Sequence, residues 1–135
     1  MPANYAGVTV AYSIRWRLVL DNVIILHNPR CTKSRATLAL LEARGLQPRI
    51  VDYLTHPPTA AELREILGKL GFRARELVRK EEAEYQDLQL DAEDIDDDAL
   101  IAAMHAHPHL IQRPIVLANG KAAIGRPPEA ILDIL

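Results

Sequence analysis

The chain has 135 residues, is 49% hydrophobic, and sets 16 Lys+Arg against 18 Asp+Glu for a net charge of −2. That length and apolar content suit one folded domain with its own core and exclude a wholly disordered chain. The balanced charge offers no basic field for nucleic acid, no apolar run is long enough to span a membrane, and a single cysteine cannot form an internal disulfide, which fits a reducing cytoplasm.

Residues 1–20 stand apart. Ser13-Ile14-Arg15-Trp16-Arg17 precedes Leu18-Val19-Leu20, without the charged start, apolar middle and small-residue cleavage site of a signal peptide. Val8-Thr9-Val10 and Arg17 to Leu20 have the composition of short strands. The expectation is a loosely ordered extension, with the domain proper over 21–135.

From Val23 the pattern alternates between strand and helix. Val23 to Leu26 reads as a buried strand, followed by a helix from about Thr32 to Arg44 that carries Leu38, Leu40 and Leu41, with Gly45 as the residue just past its end. Arg49 to Tyr53 is a second strand. Thr59 and Glu62 have the spacing of a capping box, which opens a helix bearing Leu63, Ile66, Leu67 and Leu70 and closing near Gly71. Ala74 to Arg79 reads as another short helix.

Asp91, Glu93, Asp94, Asp96, Asp97 and Asp98 form an acidic run. It lacks the glycine and terminal glutamate of a calcium loop, so it reads as a solvated loop leading into a helix around Asp97 to Ala106. His105, His107 and His109 alternate, but residues two apart do not share a helix face and Pro108 interrupts them, so no metal site is expected. Pro114 to Leu117 is a third strand, Asn119-Gly120 is a hairpin turn, and Lys121 to Gly125 returns as a fourth. Pro127-Pro128-Glu129 opens a last helix with Ile131, Leu132 and Leu135 inward. The order β-α-β, helices, β-β-α is that of an α/β thioredoxin-like fold with a helical insertion before its third strand. Such folds characteristically keep a cis proline where Pro114 falls.

The chemistry concentrates in His27-Asn28-Pro29-Arg30-Cys31-Thr32-Lys33-Ser34-Arg35. A thiol where a strand hands over to a helix faces unpaired backbone N–H groups and the positive end of the helix dipole, both of which favour thiolate, the nucleophilic form. His27, Arg30, Lys33 and Arg35 crowd the same segment. Ser34, one helical turn on, either folds its hydroxyl back toward the sulfur in support of the thiolate or is an ordinary exposed helix serine.

That loop, together with Arg79-Lys80, Arg113-Pro114-Ile115-Val116 and Gly125-Arg126-Pro127, resembles the arsenate reductase family of thioredoxin fold that couples to glutathione and glutaredoxin. The resemblance covers Val23 to Leu135, with the motifs in the family's order. It implies that Cys31 attacks the arsenic of arsenate, that His27 is associated with a lowered thiol pKa, and that Arg79, Arg113 and Arg126 hold the oxyanion. It also implies that glutathione serves as co-substrate, with no bound cofactor and no metal. The loop departs from the Ala-Cys-Gly-Thr-Ser toward which established members tend, reading Arg30-Cys31-Thr32-Lys33-Ser34. Two other classes share features with the chain: Spx-type regulators of the same fold that bind RNA polymerase, and glutathione-dependent thiol transferases. Position 34 is Ser, so a Cys-x-x-Cys switch of the regulator kind cannot form.

Overall fold

A computed structural model describes residues 23–135, and the N-terminal segment 1–20, with its two candidate strands, lies outside the described residues. Strand β1 is Ile24–His27 and β2 is Arg49–Asp52, joined through helix α1, Thr32–Ala43. Helices α2 (Ala60–Leu70), α3 (Ala74–Leu77), α4 (Ala83–Asp87) and α5 (Asp97–Ala106) follow, then a 3-10 turn, Pro108–Leu110. Strands β3 (Ile115–Ala118) and β4 (Lys121–Ile124) lead into a 3-10 segment, Pro128–Ile134. The sheet order is β2-β1-β3-β4, with β1 parallel to β2, β3 antiparallel to β1, and β4 antiparallel to β3. This is the thioredoxin-like arrangement, with the helical insertion ahead of β3.

Period-two alternation in the strands divides the core between two faces. Ile24 and Leu26 of β1 and Ile115 and Leu117 of β3 point toward Leu63, Ile66, Leu100 and Met104 of α2 and α5. Val23, Ile25 and Val116 point the other way, toward Leu41 of α1 and toward Ile131 and Ile134. Helices therefore cover both sides, which is why β1 and β3 are buried along their whole length.

Local signals set most boundaries. Thr59 Oγ1 accepts from the Glu62 N–H while Glu62 Oε1 accepts from the Thr59 N–H, closing the capping box. Gly45 and Gly71 adopt positive φ just beyond α1 and α2, as a helix end without a Cβ allows. Asn119 and Gly120 have φ of 55° and 75°, the pair of left-handed residues that a tight hairpin needs. Asp96 caps α5 through the Ala99 N–H. The bonds Arg113–Pro114 and Arg126–Pro127 are both cis.

Two expectations are corrected. The last helix is 3-10 and not α, and its three-residue turn puts Ile131 and Ile134 on the buried face while Leu135 stays exposed. The segment expected as a short helix to Arg79 ends at Leu77, because Val78 bridges Ile111 and the Arg79 N–H donates to the Leu110 carbonyl. Helix α4, where Tyr85 is buried, has no side-chain cap to mark it in the sequence. No helix among the described residues is long and apolar enough to cross a membrane.

Candidate active site at one end of the sheet

The register brings four chain segments to one end of the strands. His27 at the end of β1 stands beside Asp52 at the end of β2, and Leu26 stands beside Ile115, the first residue of β3. Ile115 in turn pairs with Ile124, the last residue of β4. The Cys31 loop, Tyr53, Arg113-Pro114 and Gly125-Arg126 therefore all leave the sheet on the same side.

Cys31 is the N-cap residue of α1, its own N–H donating to the Asn28 carbonyl at 2.9 Å. The residue is 8% exposed. Burial pushes the thiol pKa up, but the Ser34 amide, the Arg113 guanidinium and the Lys33 amide outweigh it, and the net effect is a lowered pKa. Arg126 Nη2 lies 3.6 Å from Sγ. Sulfur thus sits where two helix-start amides and two guanidiniums meet, an arrangement that stabilises negative charge on it or on an anion attached to it.

His27 acts at one remove from the sulfur. Its Nδ1 lies 2.7 Å from Ser34 Oγ, which also accepts the Asn28 N–H at 3.0 Å. Burial, with a smaller contribution from Arg35 and against the pull of Asp52, holds His27 below the usual imidazole pKa, so it is neutral near pH 7. A buried imidazole sheds its proton, so His27 adds no positive potential of its own to the loop. Ser34 is buried, its hydroxyl is turned to His27, and it is the Ser34 amide that serves Cys31. Arg35 closes the loop from outside by donating to the Pro29 carbonyl at 2.9 Å, while Arg30 and Lys33 stay exposed.

The three arginines form a linked group. Arg126 Nε donates to the Arg113 carbonyl at 2.7 Å. Arg79 Nη1 donates to Gln112 Oε1 at 2.7 Å, and the Arg113 N–H donates to the same oxygen at 3.2 Å. Glu82 Oε2 lies 3.3 Å from Arg79 Nε and 3.8 Å from Arg113 Nη1. Arg113 Nε is buried and meets no acceptor in hydrogen-bond geometry among the described residues. Arg113 and Arg126 address the sulfur directly, and Arg79 joins them through Glu82 and Gln112.

Gly125 permits this geometry. A Cβ at that position would run into Thr37 Oγ1 of α1 and Pro114 Cγ, so only glycine lets the end of β4 pass between them. Its N–H donates to the Pro114 carbonyl at 3.0 Å, which fixes the step into Arg126.

Sequence reading missed Glu82, Gln112 and Tyr53. Tyr53, 1% exposed, places its hydroxyl close to the Asn28 side chain but outside hydrogen-bond geometry with it. Burial raises its pKa against the charges of Arg113 and Arg79. Nothing in the local sequence marks these residues; only the packing of distant segments does. Glu82, Glu84 and His109 bring three ligand-type atoms within 4.8 Å of one another. These groups are already paired, Glu82 with two arginines and His109 Nε2 with Glu84 Oε1 at 2.8 Å.

Fold and site together define a thioredoxin-like domain with a single thiol set among guanidiniums and helix-start amides. Residues 26–134 match the ArsC family, and the chain belongs to it. An arsenate reductase of Neisseria meningitidis serogroup A is 50% identical over 117 residues, covering 86% of this chain and all of the relative. YfgD of Escherichia coli K12, described as uncharacterized, is 53% identical over 114 residues, covering 84% of this chain and 96% of that one. Among solved structures, arsenate reductase from Vibrio cholerae superposes with a TM-score of 0.83 at 48% identity, covering 85% of this chain and 98% of the other.

Proposed function

We propose that this protein is a cytoplasmic arsenate reductase in which Cys31 is the nucleophile, Arg79, Arg113 and Arg126 hold the oxyanion, and glutathione with glutaredoxin completes the cycle. One observation carries the reading: a thiol with lowered pKa faces Arg126 at 3.6 Å and Arg113, whose buried Nε still lacks an acceptor. A multiply charged oxyanion attached at that sulfur would be met by the same two guanidiniums. The resemblance of the motifs and the names of the relatives support arsenate as that anion.

The chemistry follows from charge. A thiolate approaching arsenate meets like-charge repulsion, which forked guanidinium donors and helix-start amides offset. Sulfur adds to arsenic and one arsenate oxygen leaves as water after taking up protons, so the S–As bond forms with arsenic still pentavalent. Reduction to arsenite takes two electrons, which two thiol sulfurs release on joining as a disulfide. The chain has one cysteine, so the second sulfur comes from another molecule, and glutathione fits that role. Glutaredoxin then reduces the mixed disulfide. His27, through Ser34, keeps the loop closed around the sulfur and positions it without donating charge.

The test is arsenite release from arsenate with glutathione and glutaredoxin, beside Cys31→Ser. Turnover by the wild type and none by the variant is expected. A wild type that binds oxyanions but releases no arsenite would remove arsenate as the substrate.

A further inference from the structure

Glu82 is a carboxylate standing where an anion is expected. It precedes α4, its side chain is 26% exposed, and its Oε2 faces both Arg79 Nε and Arg113 Nη1. Gln112 Oε1 already joins the Arg79 side chain to the Arg113 N–H, so the backbone and one guanidinium are held without any charge. What Glu82 adds is negative charge, placed on two of the three arginines proposed to bind the oxyanion.

Resting on the oxyanion reading above, we propose that Glu82 is the resting occupant of the arginine cradle, displaced from Arg79 and Arg113 by the incoming oxyanion and returning to them when that charge is gone. Three guanidiniums brought this close repel one another, and a tethered carboxylate relieves that repulsion while the site is empty. Being part of the chain, it competes at an effective concentration that ambient univalent anions do not match with one charge. A tetrahedral dianion brings twice the charge and oxygens enough to reach Arg113, Arg126 and the α1 amides together. Arsenite is uncharged at neutral pH and offers the arginines nothing comparable. Glu82 can therefore retake them as the product forms, favouring release. Glu81, 3.9 Å from Arg79 Nη2 but largely exposed, is too loosely held to do this.

If Glu82 merely braced the arginines, removing its charge would weaken anion binding; as a displaceable occupant, its removal must strengthen it. Sulfate is the unreactive probe and arsenate the reactive one, titrated against the full-length wild type, Glu82→Gln and Glu82→Asp. Glu82→Gln should bind sulfate about tenfold more tightly, the factor carried by one charge-assisted contact. It should also lower KM for arsenate, with no matching rise in kcat because product release loses its competitor. Glu82→Asp draws the carboxylate back by one methylene and should fall between the two, which keeps the test open if the Gln variant folds poorly. Equal or weaker sulfate binding by both variants, with wild-type binding intact, would overturn the role of Glu82 and leave the oxyanion site standing. Failure of all three proteins to bind sulfate or arsenate would overturn the oxyanion reading itself, and this proposal with it.

Discussion

Arg126 donates its Nε hydrogen to the backbone carbonyl of Arg113 across 2.7 Å, so one cation of the site is fastened to the main chain of another. The same guanidinium reaches Cys31 Sγ with Nη2. Arg126→Lys keeps a charge but cannot span both contacts, since an ammonium is a point donor without the fork. It should recover only part of the activity that Arg126→Ala loses. Arg113→Ala should lower kcat/KM by about tenfold to a hundredfold, the equivalent of ~1.5–3 kcal/mol of charge-assisted bonding. Unchanged turnover in Arg113→Ala would remove the arginines from the chemistry.

Alkylation of Cys31 by iodoacetamide, followed against pH, should show an inflection below the ordinary thiol value of about 8.5. Burial works against this, and the Ser34 amide, Arg113 and the Lys33 amide work for it. Arg113→Ala should move the inflection upward. Ser34→Ala should leave it nearly in place, because the donor is the amide and the hydroxyl points elsewhere. The same variant should still cost roughly 1–3 kcal/mol of stability, since the Asn28 N–H and His27 lose a buried partner. A wild-type inflection at 8.5 would end the case for a poised thiol.

His27 supplies an acid-side dependence. Its pKa is lowered in the folded chain, chiefly by burial. As pH falls past about 6.5 the unfolded chain takes up this proton first, so folding stability declines until the lower folded value is passed and then levels off. His27→Gln keeps a polar group toward Ser34 and should flatten that segment of a plot of urea midpoint against pH. An unaltered slope would mean that other groups cause the decline.

Gly125→Ala places a methyl against Thr37 and Pro114. Overpacking of this kind costs about 1–3 kcal/mol, measurable as a shift in urea midpoint. The displaced backbone carries Arg126 with it, so kcat/KM should fall further than the loss of folded protein explains. A variant as stable and active as the wild type would mean that the Thr37 side chain swings clear.

What could be read in the sequence was what a few neighbouring residues decide. The Thr59–Glu62 box, the Asn119-Gly120 turn and Cys31 at the start of α1 are each settled by contacts within one turn. The convergence of Arg79, Arg113 and Arg126 came from resemblance, since no spacing rule joins residues so far apart. Helix α4 was hidden because its short run is held mainly by burial of Tyr85, and the 3-10 character of residues 128–134 because Ile131, Ile134 and Leu135 suit either helical period. The partners of the Ser34 hydroxyl and the reach of Glu82 depend on side-chain direction, which residue type alone does not specify.

Cys31 and Arg126 are separated by 95 positions, and Arg113 also follows β1, α1, β2 and the whole helical insertion. A ribosome exposes the cysteine long before it has made either guanidinium. Until β3 and β4 add themselves to β1, only the amides of α1 are at hand to favour the thiolate, and the nascent sulfur is a far more ordinary thiol. Reactivity thus arrives with the last strands, as a property of the finished chain. A fragment cut short before residue 113 would keep the nucleophile and most of one helical layer, yet lack the charge that poises it.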